Sequence, residues 1–355
     1  MYFGRKAASV YGYSNARVKV MKSRLIAKDH MQRVIASKDP EGMLALLLQT
    51  DYKKNLEEFG GLKVKAEQID FALSKNLAGN IGRLVRLTPV MQRKITRAIT
   101  GRWDLYNLKL AIDAKSKGLD YSSISRYVID YGIYNAQALK DALRESRVES
   151  LMERLSINSP YKQLISAALA VYRKTGSTMQ AEIAIDSAYY SNLGSIVTKL
   201  MEIDSSSARI LRMEIDMKNL LLLMRAKRYS MDFAQINRYI INNGTLGMEQ
   251  LRDLYAGSKE LQMLVKRITL FDLSKELEIY SNSKNKQLLV FEIGMKNAIF
   301  IRSMELLSYS VHSFGAILAY AYLKEIEAFT LRIIINGKIY NLTKEELSSM
   351  IVWKT

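Results

Sequence analysis

The chain holds no cysteine, three prolines and two histidines among its 355 residues. Without cysteine there is no disulfide, no thiol nucleophile and no thiolate-built metal site. His30 and His312 lie far apart, and neither has an Asp, Glu or His neighbour at metal-ligand spacing, so both read as structural. No Gly-rich phosphate loop ending in Gly-Lys-Ser/Thr occurs, and the glycines at 79 and 82 lack the surroundings of a dinucleotide fingerprint. The sequence therefore calls for no catalytic residue, cofactor or metal. The N-terminus has no apolar signal region. The longest stretch without a formal charge, Leu306 to Leu323, carries Ser308, Ser310, His312, Ser313 and Gly315 and reads as a core helix pair rather than a membrane span.

Breakers are scarce. Pro40, Pro89 and Pro160 with 18 glycines leave long uninterrupted segments whose apolar positions recur at helical spacing, which predicts an all-α fold. A composition that is 48% hydrophobic and 25% charged suits a globular chain with a sizeable core. Met and Tyr are plentiful, and most fall on apolar helical stripes, where they read as core.

What the chain does have is repetition at a spacing of 112 residues. Asp104/Asp216, Asn107/Asn219, Leu108/Leu220, Lys115/Lys227, Asp120/Asp232, Ile124/Ile236, Arg126/Arg238, Tyr127/Tyr239, Gly132/Gly244, Leu139/Leu251 and Asp141/Asp253 hold that register without a gap. At an offset of 111, Glu327, Leu331, Lys338, Thr343 and Leu347 follow Asp216, Leu220, Lys227, Asp232 and Ile236, with Thr330 where the Asn stood. A fainter trace, Asn15, Lys22 and Arg33, opens the chain. Such periodicity marks copies of one supersecondary unit packed together. It predicts three similar helical domains, at residues 1–114, 115–226 and 227–355.

The local unit is helix, turn, helix. Gly118-Leu119 suits a left-handed helix end, and Asp120, Asp232 and Thr343 suit N-caps, with Thr343 and Glu346 forming a capping box. Asp39-Pro40-Glu41 likewise starts a helix. Ile333–Tyr340 taken alone reads as a β-hairpin around Asn336-Gly337, but its register equivalents end an apolar helix, so it is expected to be helix closing at Gly337.

Repetition also weighs on function. Carboxylates on mostly apolar helices suggest shifted pKa values and hence chemistry, yet a catalytic residue is needed once and a structural device in every copy. Asp104, Asn107, Asp216, Asn219 and Glu327 are therefore expected to be a structural signature, with Arg126 and Arg238 as candidate partners for the carboxylates.

The charge is lopsided: 53 Lys and Arg oppose 35 Asp and Glu, a net of +18. That predicts an anionic partner, whether nucleic acid, lipid headgroup or acidic protein. The excess is densest between Asp70 and Asp104, which enclose no acidic residue but do enclose Lys75, Arg83, Arg86, Arg93, Lys94, Arg97 and Arg102. Arg83, Arg86, Arg93, Lys94, Arg97 and Arg102 are the candidate contacts to a partner or membrane surface, against the alternative of a solvated face.

Several short words together resemble a known family. They are Tyr13-Ser14-Asn15-Ala16-Arg17-Val18-Lys19 with Lys22-Ser23-Arg24-Leu25, Leu46-Leu47-Leu48-Gln49-Thr50-Asp51-Tyr52, and Trp103-Asp104 with Asn107-Leu108-Lys109 and Ala114-Lys115. Glu182 with Asp186 and Tyr190, Glu214-Ile215-Asp216 with Asn219-Leu220, and Lys324-Glu325-Ile326-Glu327 with Leu331-Arg332-Ile333-Ile334 complete the set. The pattern resembles the C subunit of the archaeal A-type and related V-type rotary ATP synthases, homologous to the d subunit of the eukaryotic vacuolar proton pump. It departs from that family at Thr330, where an Asn is usual, and at Gly315, near a common Pro.

The resemblance implies a funnel-shaped protein of three helical domains about a pseudo-threefold axis, a non-catalytic rotor part. In that family the protein sits on the cytoplasmic face of the membrane proteolipid ring and receives the D and F subunits of the central axle. A peripheral location, with anionic lipid headgroups as further contacts and no nucleic acid, follows from it. The competing reading, motivated by the net charge alone, is a basic helical-repeat protein that binds nucleic acid with steep salt dependence, although no recognised nucleic-acid module is present.

Overall fold

A computed structural model describes residues 2–58, 66–283, 286–310 and 312–352. Among these the chain forms nineteen α-helices, joined by turns and short 3-10 segments, and no strand. The all-helical expectation holds. Seven helices of 21 to 26 residues dominate: α1 (Tyr2–Lys22), α2 (Ala66–Leu87), α3 (Arg93–Ser116), α4 (Thr178–Ile203), α5 (Ser205–Arg228), α6 (Leu289–Tyr309) and α7 (Gly315–Ile339). No helix among the described residues is long and apolar enough to cross a membrane. The uncharged stretch from 306 is the end of α6, a bend and the start of α7.

The chain divides into two compact units. One, the middle unit, comprises Arg24–Ile26 and Ser37–Leu193; the other, the terminal unit, comprises Met1–Ser23, Ala27–Ala36 and Gly194–Thr355. Residues 114 and 226 fall inside the last turns of α3 and α5. Compactness measures packing in space and the 112-residue spacing is a pattern along the chain, so the two partitions need not coincide.

In the middle unit α2 buries Ile69, Leu73, Leu77, Ile81 and Leu84, a stripe at helical spacing. α3 buries residues on nearly every side, from Ile99 and Trp103 to Leu108 and Ile112, because shorter helices surround it. In the terminal unit α5 and α7 are the buried helices and α1 and α6 pack on them. Fully burying an aliphatic side chain of this size contributes about 1.5–3 kcal/mol, so these helices owe their stability to the core more than to intrinsic propensity.

Local signals match the expected caps. Asp39 Oδ1 accepts from the Gly42 amide at 2.8 Å with Pro40 at the first helical position. Asp120 Oδ1 accepts from the Ser123 amide, and Thr343 and Glu346 exchange both capping-box bonds. At Asp232 the reverse half is present: its own amide donates to Gln235 Oε1 at 2.8 Å.

The ends of α3, α5 and α7 are built alike. Gly118, Ser230 and Asn341 all take left-handed backbone, with φ of 68°, 53° and 55°. In each case the next amide reaches back to close the end: Leu119 to Ala114 O, Met231 to Ala226 O and Leu342 to Gly337 O. That is the six-to-one closure expected of a helix ending on a left-handed residue. Ile333–Tyr340 is accordingly helix and not a hairpin, but α7 runs on through Gly337 to Ile339. Within the helix, position 337 suits glycine because a Cβ there would strike Leu347 of the helix Lys344–Met350.

Candidate functional site

The most distinctive buried polar groups lie at and just past the middle of α3 and α5. In α3, one oxygen of Asp104 accepts from both the Ile133 and Tyr134 amides, at 2.8 and 3.0 Å, while the other faces the Tyr161 hydroxyl at 3.3 Å. In α5, the two oxygens of Asp216 divide the work, one taking the Thr245 amide at 2.8 Å and the other the Leu246 amide at 3.0 Å. The recipients are 112 residues apart, as are the donors. Each carboxylate thus pins the turn that follows the short helices at 121–127 and 233–239.

Gly132 and Gly244 explain themselves here. A Cβ at either position would run into the Asp104 or Asp216 carboxylate, and Gly132 also needs its φ of 79°. Close backbone approach is what a residue without Cβ permits.

One turn further on, the asparagines act as backbone mimics. Asn107 Nδ2 donates to Ile129 O and Tyr134 O at 2.6 and 2.8 Å, and its Oδ1 accepts from the Ile129 amide at 3.0 Å. Asn219 does the same with Ile241, at 2.8 Å to the carbonyl and 2.9 Å from the amide. In α7, Thr330 keeps one such bond, from Oγ1 to Val352 O at 3.2 Å. The lysines at the helix ends diverge more: Lys115 donates to Leu143 O, Lys227 lies 3.8 Å from the Tyr255 ring centroid, and Lys338 donates to Ile35 O.

Burial pushes the Asp104 and Asp216 carboxyls above the ordinary 3.8 even though the amide bonds pull the other way. Desolvation of the charged form is the larger effect at both. The same burial, with Asp104 close by, drives the Tyr161 hydroxyl far up its scale. Arg126 and Arg238 do not supply the acceptor bonds of these carboxylates; each lays its guanidinium 4.7 Å from the centroid of the adjacent tyrosine ring, Tyr127 or Tyr239. An amide-rich turn already provides donors at Asp104 and Asp216, and the arginines find aromatic faces instead.

The third carboxylate differs. Glu327 is fully buried and takes the Lys324 ammonium at 2.6 Å, one turn earlier on α7 and itself 1% exposed. Across the same unit the Tyr322 hydroxyl donates to the Glu214 carboxylate of α5. In the middle unit, Lys109 of α3 grips both oxygens of Asp186 on α4, at 2.7 and 2.8 Å. Glu182, one turn before Asp186, has its carboxyl raised chiefly by burial. Among the described residues no group of three His, Asp or Glu is disposed to hold a metal.

The basic run is a second, separate feature. Arg83 and Arg86 are exposed on the last turns of α2, and Lys94 and Arg97 on the first turns of α3, while Arg93 and Arg102 are half-buried. Arg93 Nε is tied to Thr88 O at 3.1 Å, and Arg102 Nε to Ile99 O with its guanidinium 5.9 Å from the Trp103 ring centroid. The structure therefore brings Arg83, Arg86, Arg93, Lys94 and Arg97 to one tip and leaves Arg102 further along α3. Sequence reasoning missed the residues at the apex, Val90 and Met91, which are 73% and 89% exposed. Their signal was an apolar pair directly after Pro89 inside a basic run.

In this all-helical chain the buried carboxylates of Asp104 and Asp216 are spent on backbone amides, which is a structural use of both. The comparison with known families agrees: residues 14–350 match the model of the ATP synthase (C/AC39) subunit, and the chain belongs to that family. It is a non-catalytic part of a rotary ATP synthase. It is similar to the C subunit of the A-type ATP synthase of Methanocaldococcus jannaschii, 25% identical over 346 residues, covering 96% of this chain and 86% of that protein. The C subunit of the V-type ATP synthase of Deinococcus radiodurans is 24% identical over 338 residues, 95% of this chain and 90% of its own length. That of the A-type enzyme in Thermoplasma acidophilum is 20% identical over 353 residues, 97% and 98% of the two chains.

Proposed function

We propose that the chain is the socket of the rotor, joining the central axle, formed by the D and F subunits, to the membrane proteolipid ring on the cytoplasmic face so that turning of one turns the other. The family match over 14–350 carries this reading, and the construction supports it. A coupling part must transmit torque without yielding, and close-packed helices compress little. The paired anchors at Asp104/Asn107 and Asp216/Asn219 fix helix to turn by several short bonds each, and Glu327 with Thr330 holds the corresponding place in α7. On this reading the chain is three copies of one helical unit, at 1–114, 115–226 and 227–355. Arg83, Arg86, Arg93, Lys94, Arg97 and Arg102 face an acidic partner surface or ring-proximal lipid.

Co-purification of the tagged chain with the axle proteins and the proteolipid ring tests the proposal. Deletion of the chain is expected to separate ATP hydrolysis by the head from ion movement through the ring. A fully assembled, coupled complex after deletion would end it.

A further inference from the structure

The turn between α2 and α3 is unusual in being rigid, apolar at its apex and basic around its base. Its shape is fixed by the Thr88 amide and hydroxyl, both donating to Leu84 O, by Thr96 Oγ1 to Thr88 Oγ1 at 3.2 Å, and by the Arg93 bond to Thr88 O. Braced in this way, the turn holds Val90 and Met91 out in solvent, and Met91 at 89% exposed has almost no protein around it. Below the apex stand Arg83, Arg86, Arg93, Lys94 and Arg97, and none of these pairs with a carboxylate among the described residues.

α3 and α5 are both 24 residues long and begin 112 residues apart. α5 is capped by Asp204, whose Oδ1 accepts from the Ser207 amide, and it begins Ser205-Ser206. At the corresponding places α3 has Gln92, which makes no side-chain cap bond, then Arg93 and Lys94. Cations in the first turn oppose the helix dipole, and a missing acidic cap weakens the helix end. Arg93 is partly used inside the fold through its bond to Thr88 O, but Lys94 opposes the helix dipole without an acidic cap to answer it, so an anionic surface outside the chain is the natural complement of this helix start.

We propose that the Val90–Met91 tip is a membrane wedge: the two side chains enter the headgroup and acyl boundary of an anionic lipid surface while the surrounding arginines and lysine meet lipid phosphates. An acidic protein surface would satisfy the cations but set Val90 and Met91 against polar groups. A lipid interface accepts both, since interfacial elements bury an apolar face about 5–10 Å deep beneath a basic one. This rests on the peripheral, membrane-apposed location proposed above and names the partner of that basic surface.

The test uses the full chain with vesicles of phosphatidylcholine, with and without phosphatidylglycerol, at low and physiological salt. Binding is expected only with the anionic lipid and should weaken with salt. Val90→Ser with Met91→Ser, at exposed positions and with charge unchanged, is expected to lower partitioning about tenfold. Arg93→Glu with Lys94→Glu and Arg97→Glu should lower it about a hundredfold or more. Met91→Trp should shift its emission to the blue on anionic vesicles alone. Wild-type chain that ignores anionic vesicles at low salt, a double serine variant that binds undiminished, or an unshifted Trp emission in the Met91→Trp variant each overturns the wedge. If the chain ignores vesicles yet co-purifies with ring and axle, and the triple reversal abolishes that, the tip meets acidic protein; the wedge falls and the socket stands. Failure of the wild-type chain to co-purify with ring or axle strikes the socket reading itself, whatever the vesicles show.

Discussion

Asp104 and Asp216 occupy corresponding places yet should respond differently to the same substitution. One oxygen of Asp104 receives both amides and the other faces a hydroxyl that can donate or accept. In Asp104→Asn the carbonyl oxygen keeps both amides and the new NH2 turns to Tyr161, so every group stays paired and the cost of desolvating a carboxylate disappears. A change within about 1 kcal/mol of wild type is expected. Asp216 gives each amide its own oxygen, so in Asp216→Asn either orientation points an NH2 at a backbone N–H. That orphans one donor at a cost of about 1–3 kcal/mol. Asp104→Ala orphans both amides, which should cost about 2–6 kcal/mol on the same scale, and takes the acceptor from the Tyr161 hydroxyl as well. Two compact units need not unfold as one, so the assay is hydrogen exchange read locally, at amides 133–134 and 245–246, alongside denaturant titration. Equal losses of protection at the two sites in the two Asn variants, or a larger loss in Asp104→Asn, would refute the reasoning.

Gly132→Ala should be the more damaging of the two glycine substitutions, because it combines collision with Asp104 and a left-handed φ that alone costs roughly 1–3 kcal/mol; Gly244→Ala meets only the collision, and thermal unfolding of both variants checks the order. Both aspartates have raised carboxyl pKa values, so the folded state holds protons that the unfolded chain releases above 3.8. The stability they contribute is present below 3.8 and lost as pH rises through the raised values, and Asp104→Asn should flatten that part of the stability profile in acid titrations. Lys324→Met strips buried Glu327 of its ammonium partner and should cost about 3–5 kcal/mol, whereas Lys324→Met with Glu327→Leu should recover most of it, as a double-mutant cycle would report. Reversing charge at Arg93, Lys94 and Arg97 should weaken docking of the chain to the membrane sector, measured by co-sedimentation with ring-containing membranes; unchanged docking at low salt would count against the basic tip.

Much of the architecture could be read in the sequence because helices announce themselves locally. The caps at Asp39, Asp120 and Thr343 and the left-handed end at Gly118 depend on neighbours within a few residues, whereas Ser230 and Asn341 take the same left-handed backbone without a glycine to announce it. The register also overruled a misleading local signal at Ile333–Tyr340, though it placed the helix end at Gly337, two residues short. There the glycine answers the approach of Leu347, a contact between elements that no local window contains. The partners of Asp104 and Asp216 failed to show for the same reason. A carboxylate and a nearby arginine in sequence invite pairing, but the acceptors' donors are main-chain amides nearly thirty residues on, and backbone groups leave no trace in residue type.

Gly132 and Gly244 were the one legible sign of those bonds, since a repeated glycine 28 residues after a repeated aspartate marks the backbone that comes close. This gives the repeat a physical content. The anchors at Asp104/Asn107 and Asp216/Asn219 stay alike because each must hold the same turn, whereas the ends of α3 and α5 are free to diverge once the turn is held. Divergence is where they part: Asp204 with two serines at one helix start, Gln92 with Arg93 and Lys94 at the other. A protein built from similar pieces can address dissimilar partners only through such differences, and the α2–α3 tip is the place where charge, exposure and the loss of a cap coincide.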